Sequence, residues 1–309
     1  KSSLTSYAVY SAKKAFNTVA DAEVVESNMM TIPGVYASNI QDHMIRICEN
    51  RADSLAIIDL KGDYTPTPEN SANAVSRKGD VDTTINNLND RALNTSYAAA
   101  YYPWVRISDS ETGGTLWVPP SVPAIGTLSS AQRRSELWFA PAGFTRGGLT
   151  EGAAGVPVNS VAQRLRQKDR DDLYAANINP IATFPAEGIV IFGQKTLQVT
   201  PSALDRINVR RLMIYVKREI SFIASRLLFE QNVQATWDRF TGQVSPFLDS
   251  IVARQGLTDY RVILDETTTT PDLVDRNTIY AKIFLKPARA VEFIAIDFVI
   301  TRSGAAFED

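Results

Sequence analysis

Leu55-Ala56-Ile57-Ile58-Asp59-Leu60 is a short, almost continuous apolar run. A strand with one wet face would alternate, so this run reads as a strand buried on both faces. Such a strand needs cover on both sides, which makes a parallel sheet flanked by helices the first expectation. The flanking sequence agrees. Gln41 to Ala52 places Met44, Ile47 and Cys48 on one helical stripe. Lys61 to Asp80 is a polar loop with Gly62, Pro66, Pro68 and Gly79, and Val81 to Leu93 returns to helical spacing. Tyr97 to Ile107 reads as one aromatic-rich strand and Thr115 to Val118 as another.

Pro119 to Pro157 is rich in Pro and Gly, interrupted by a short helix from about Ser129. Ser160 is placed to cap a helix running through Leu165 to Leu173, and Ile189 to Leu197 is strand-like. A second region opens near Pro201. Leu204 to Arg239 has neither Gly nor Pro and reads as one long helix with a local excess of positive charge, followed by a helix over Ser245 to Gln255. Three strands are expected after it, at Tyr260–Leu264, Thr278–Leu285 and Val291–Arg302. The fold class is therefore an α/β domain with a mostly parallel sheet flanked by helices, over residues 1–200. An α+β domain with an antiparallel sheet follows, over residues 201–309.

Composition removes most chemistry. Lys and Arg total 32 against 34 Asp and Glu, a net charge of -2 that lacks the basic footprint of a nucleic-acid binder. The single cysteine, Cys48, rules out an internal disulfide framework and a multi-cysteine zinc site, and its place on an apolar stripe suits an inert thiol. The single histidine, His43, has no nucleophile nominated beside it. Gly147, Gly148, Gly152 and Gly155 match neither phosphate-binding spacing. No apolar run is long enough for a membrane span. Neither cofactor nor metal is expected. Two rival functions stay open: an α/β enzyme with a pocket near Asp59, and a nucleic-acid-binding module using the basic helix 206–239.

Several phrases point elsewhere. Ala98-Ala99-Ala100-Tyr101-Tyr102-Pro103-Trp104-Val105, Val118-Pro119-Pro120-Ser121 with Gly126, and Trp138-Phe139-Ala140-Pro141-Ala142-Gly143 occur in that order. Ile178-Asn179-Pro180-Ile181, Phe192-Gly193-Gln194-Lys195-Thr196-Leu197, Val209-Arg210-Arg211 and Phe229-Glu230-Gln231-Asn232 with Trp237 follow. Lys286-Pro287-Ala288-Arg289-Ala290-Val291-Glu292-Phe293-Ile294 closes the series. Together, from about Tyr97 to Ile300, they resemble the contractile tail sheath proteins of phages and related injection machines. Two departures stand out: Gln194-Lys195 replaces the commoner Ala-Arg, and Gln231 replaces a Pro, which is expected to leave the long helix uninterrupted. The chain opens at Lys1 and resembles the C-terminal part of a larger, N-terminally incomplete sheath subunit.

The resemblance implies a structural subunit, not an enzyme, that polymerises helically around an inner tube and contracts to drive that tube through a cell envelope. The partners implied are other copies of the chain, the inner tail tube protein, and baseplate and tail terminator proteins, with no small-molecule substrate, direct nucleic acid or membrane insertion. The implied location is a virion tail or related injection particle, assembled in the bacterial host cytoplasm. Arg206, Arg210, Lys217, Arg218 and Arg239 are the expected tube or subunit contacts, although Arg210 and Arg211 are equally suited to anchoring within the fold. Glu292, Ile294, Ile296, Phe298 and Ile300 belong to the expected inter-subunit strand, where alternation leaves one face apolar.

Overall fold

A computed structural model describes residues 6–66, 77–109, 111–150, 152 and 154–294. Helix α1 (Tyr7–Thr18) is followed by β1 (Met29–Thr31), α2 (Ser38–Arg51), β2 (Leu55–Ile58), α3 (Val81–Asn89) and β3 (Ala98–Tyr102). Next come β4 (Val105–Ser108), β5 (Thr115–Val118), α4 (Ser121–Arg134), the single turn α5 (Gly143–Arg146) and β6 (Val158–Val161). Then α6 (Gln167–Ala175), β7 (Ile178–Phe184) and β8 (Gly188–Ile191) complete the first part. The second part holds α7 (Ile207–Ser225), α8 (Gln234–Ala253), β9 (Leu257–Ile263), α9 (Pro271–Asp275) and β10 (Lys282–Pro287).

The main sheet has five strands in the order β1-β2-β3-β7-β8. All its pairings are parallel except β7 with β8. Every residue of β2 and β3 is buried, as the apolar run predicts. Alternation then divides these residues between two cores. Ala56, Ile58, Ala98, Ala100 and Tyr102 join Met44, Ile47 and Cys48 of α2 on one face. Leu55, Ile57, Ala99 and Tyr101 join Ala124 and Leu128 of α4, with Ile207 and Ile214 of α7, on the other. A third core gathers Leu212, Val216, Leu227, Phe240, Val244, Leu248, Ile251 and Leu257 around Trp138.

Several boundaries differ from expectation. Tyr97–Ile107 is two strands in two sheets: β3 lies in the main sheet, while β4 pairs antiparallel with β5 and β6. Pro103, which has no N–H to donate, sits at the break. Ser160 lies within β6 and caps nothing; α6 starts at Gln167, where the Arg166 N–H donates to Asp169 Oδ2 at 2.8 Å. The helix expected from Ser129 begins earlier, at Ser121. Helix α1 and strands β1, β6 and β7 were not among the expected elements.

The largest correction concerns Leu204–Arg239. It is not one helix: α7 ends at Ser225 and α8 begins at Gln234, with Phe229 in the left-handed region at φ 68°. A straight helix of that length would span about 54 Å and leave its apolar stripe unpaired. Folding back instead puts Leu227 beside Phe240 in the third core. Thr236 Oγ1 donates to the Gln231 carbonyl at 2.7 Å and Trp237 Nε1 to Asn232 Oδ1 at 2.8 Å, which fixes the turn without a proline. Helix α8 in turn runs through Pro246, because Trp237, Phe240, Val244, Leu248 and Ile251 keep helical spacing on its buried face. Of the three later strands, β9 and β10 form a two-stranded antiparallel sheet. Residues 291–294 are outside any strand, and the remainder of the expected strand lies outside the described residues.

Trp104 is 5% exposed and its ring lies 5.6 Å from that of Tyr64. Trp104→Ala should therefore destabilise the protein by roughly 3–5 kcal/mol in chemical denaturation, and an unchanged midpoint would remove Trp104 from the core.

Candidate functional site

The basic residues of α7 and α8 divide by the way their positions face. Arg210 and Arg211 are 7% and 5% exposed, on the side of α7 that meets the main sheet. The Arg210 guanidinium lies 4.0 Å over the Tyr97 ring and donates to Ser96 Oγ. Arg211 donates to the Leu128 carbonyl at 3.3 Å and to Gln132 Oε1 at 2.8 Å on α4. Burial lowers the pKa of both, that of Arg211 to about 10. Arg210 thus leaves the outward-facing set; it anchors the fold. Lys217 and Arg218, one and a half turns or more further on, are exposed. Arg218 meets Glu26 at 3.4 Å and Arg239 meets Glu230 at 3.5 Å, both solvent-exposed pairs that contribute little to stability. The same end of α7 carries exposed Phe222, with the Arg226 guanidinium 4.3 Å over its ring. The turn beyond it exposes Leu228 and Phe229, the latter completely.

Arg206, at the N-cap of α7, is engaged differently. Its Nε and Nη2 donate to the two carboxylate oxygens of Glu292 at 2.7 and 2.9 Å, and Nη1 lies 3.2 Å from Asp205. The Glu292 carboxylate also accepts from the Tyr174 hydroxyl at 2.9 Å and from Gln194 Nε2 at 3.2 Å. Burial would raise the Glu292 pKa, but the Arg206, Tyr174 and Gln194 donors outweigh it and hold the carboxyl below its ordinary value. Lys195 completes the node: its ammonium lies 4.3 Å over the Tyr174 ring and donates to the Tyr174 carbonyl at 2.7 Å. Beside the node lies a cavity of about 380 Å³, lined by Ala142, Gly143, Arg170, Tyr174, Gln194 and Val291. Tyr174 has no sequence signal of its own and Gln194 stands out only as a departure from a recurring phrase; both lie far from Glu292 in the chain. Ile294 is 79% exposed, whereas Ile296, Phe298 and Ile300 fall outside the described residues.

The β9–β10 sheet offers a second kind of surface. Among the described residues, each of its strands is paired on one side only. Ile283 and Leu285 of β10 pack on the third core, while Lys282, Phe284 and Lys286 face outward.

Asp59 and Asp63 are both inside. Asp59 is 1% exposed; Ser121 N–H donates to one oxygen at 3.0 Å, and Ser121 Oγ and Gly34 N–H donate to the other at 2.8 Å each. Those bonds tie the end of β2 to the first turn of α4, so the Asp59 carboxylate is taken up in holding the fold. The Asp63 carboxyl is also buried; its Oδ1 accepts from the Tyr64 and Trp104 N–H groups, and Oδ2 has no partner among the described residues. Burial pushes its pKa up to about 8, against those two bonds.

Comparison with solved structures places this architecture. The fold resembles the sheath of the PVC extracellular contractile injection system in its contracted state, with a TM-score of 0.72 and 21% identity over 94% of this chain and 79% of that chain. It likewise resembles the contracted helical sheath of the anti-feeding prophage, with a TM-score of 0.70 and 20% identity over 93% of this chain and 73% of that chain. The fold is thus that of a contractile-sheath subunit. The family model for the phage tail sheath protein central domain matches residues 8–197, and that for the phage tail sheath C-terminal domain matches residues 199–301. The chain belongs to the phage tail sheath protein family. It is 34% identical over 260 residues to the tail sheath protein of Vibrio phage KVP40, covering 84% of this chain and 36% of that protein. It is 32% identical over 279 residues to that of Enterobacteria phage T4, covering 88% of this chain and 41% of that protein. The chain therefore spans well under half the length of these relatives.

The buried Asp63 gives a pH test. Its folded pKa lies above the unfolded value of about 3.9, so between that value and about 8 the folded chain holds the extra proton. Its contribution to stability is full at low pH and falls as pH rises through this window. Asp63→Asn keeps a neutral acceptor at Oδ1, so its melting temperature should exceed the wild type's by an increasing margin from pH 5 to pH 8 and a constant one above. A margin that does not vary with pH would mean that Asp63 is not the proton holder.

Proposed function

We propose that this chain forms the sheath body of a contractile tail, polymerising helically around an inner tube and contracting to drive that tube through a target cell envelope. The observation that carries this reading is the run of two consecutive sheath domain families along the chain, on a fold shared with contracted sheaths. On this reading the protein is not an enzyme. The work comes from a lattice assembled in a metastable extended state that relaxes to better-buried contacts, as strained assemblies do. Its partners are other copies of itself, an inner tube protein, and baseplate and tail terminator proteins. Its place is a virion tail or related injection particle assembled in the bacterial host cytoplasm. Residues 1–200 act as the sheath core domain and residues 201–309 as the tube-facing and subunit-linking domain.

Two features support the assignment of surfaces. A sheath grips its tube through contacts that contraction must release, and exposed charges suit this because salt screens them and they favour rapid association over final affinity. Lys217, Arg218 and Arg239 are the outward-facing members of the basic set. Reversing Lys217 and Arg218 to Glu should leave the melting temperature within a few degrees and weaken tube-templated assembly. Unaltered assembly would move the tube contact elsewhere. The second feature is the β9–β10 sheet, whose two edges are unpaired among the described residues and suit an incoming strand from a neighbour. The C-terminal segment supplies such a strand. Deleting residues 299–309 from an otherwise full-length subunit should abolish polymerisation, seen by negative-stain microscopy, while the α/β part stays folded by circular dichroism. Contractile tubes formed by the truncated subunit would refute the link.

A further inference from the structure

The chain leaves β10 by a route that decides where a pull on its C-terminal end would act. Beyond Pro287, the Ala288 N–H donates to the Gly256 carbonyl at 3.1 Å, and Arg289 to Val291 follow largely in solvent. Glu292 then returns to the junction of the two parts. There it takes two bonds from Arg206 and one each from Tyr174 and Gln194, groups that belong to the start of α7, the last turn of α6 and the segment after β8. Its neighbours do nothing comparable: Val291, Phe293 and Ile294 are 79%, 82% and 79% exposed. One half-buried carboxylate between exposed apolar side chains thus ties residues 289–294 back to the body of the chain.

We propose that Glu292 is the anchor through which tension on the C-terminal segment enters the subunit, so that the β9–β10 sheet is shielded from it. This rests on the reading that the segment links neighbouring subunits. The reason lies in how the two attachments break. A pull acting directly at Pro287 would peel β10 from β9 one ladder bond at a time, because the strands are antiparallel and, among the described residues, pair only with each other. A pull arriving at Glu292 must instead break several bonds together. Two of these form a forked, charge-assisted pair, which is the stronger kind and directional. The donors sit at the start of α7, in the last turn of α6 and in the segment after β8, all beside the main sheet, which spreads the force into the larger cores. The pivot needed when a lattice changes pitch then lies beyond Glu292, not in the Pro287–Ala290 loop.

The test uses the full chain, with force applied through its two ends in an optical trap. Glu292→Gln removes the charged fork and keeps the side-chain shape. It should lower the first rupture force and make residues 288–294 open about 10- to 100-fold more often by amide hydrogen exchange. The melting temperature should hardly change. Phe293→Ala, which alters an exposed neighbour, should behave as wild type. The pair Arg206→Glu/Glu292→Arg should recover part of the lost force. A first rupture and exchange unchanged in Glu292→Gln would overturn the anchor. If deletion of residues 299–309 abolishes polymerisation while Glu292→Gln pulls like wild type, the anchor is wrong and the linking segment stands. If that deletion leaves polymerisation intact, the linking reading fails, and the anchor's role in assembly fails with it.

Discussion

Burial of β2 and β3 on both faces is the constraint from which the rest of this structure follows. A backbone ladder with no wet side must be covered twice, and the alternation along Leu55–Ile58 and Ala98–Tyr102 divides the cover between α2 below and α4 with α7 above. The alanines at 98, 99 and 100, each fully buried, let both layers come close. Asp59 then follows from the same geometry. It sits at the end of a doubly buried strand, where a carboxylate survives only if its oxygens are satisfied, and Gly34 and Ser121 satisfy them. The residue that looked most like a catalytic acid is a tie between layers.

The sheet was legible in the sequence wherever one signal dominated. Leu55–Leu60 could be nothing but a covered strand, and its pairing with Ala98–Tyr102 is parallel, in register from Ala56 with Ala98. Where two signals competed, the local one misled. Pro180 argues against a central strand, yet β7 is one, and the pairing of Tyr102 with Pro180 falls at the end of the ladder with β3. Gln231 in place of the family's proline leaves a long helix free to continue, but tertiary burial of Leu227 and Trp237 bends the chain there regardless. Propensity sets what a segment tolerates, and packing decides what it does.

Charge was less legible still. Arg206, Arg210, Arg211, Lys217 and Arg218 lie within a few turns of one another and look alike as letters. In the structure they are a clamp, two buried anchors and two exposed cations. Nothing local separates them, because the separation depends on Tyr97, Gln132 and Glu292, which approach from distant parts of the chain. The family resemblance flagged Arg210, Arg211 and Glu292 as members of recurring phrases. It could not say that the arginine bound to Glu292 is Arg206, a residue outside the phrase.

The two parts of the chain are matched by separate family models, yet they do not have separate interiors. Ile207 and Ile214 of α7 are buried against the main sheet, and Trp138, from before β6, sits in the third core with its Nε1 donating to the Arg254 carbonyl at 2.9 Å. Sliding one part over the other would expose these side chains, at about 1.5–3 kcal/mol for each large apolar group returned to water. It would also strip Arg210 and Arg211 of their partners while they are still buried, and unpaired buried charge is among the costlier defects a fold can carry. Contacts at the rim behave in the opposite way. Exposed pairs such as Arg218 with Glu26 open at little cost, and among the described residues the outward edges of β9 and β10 are unpaired. A chain built this way resists internal rearrangement and yields at its periphery.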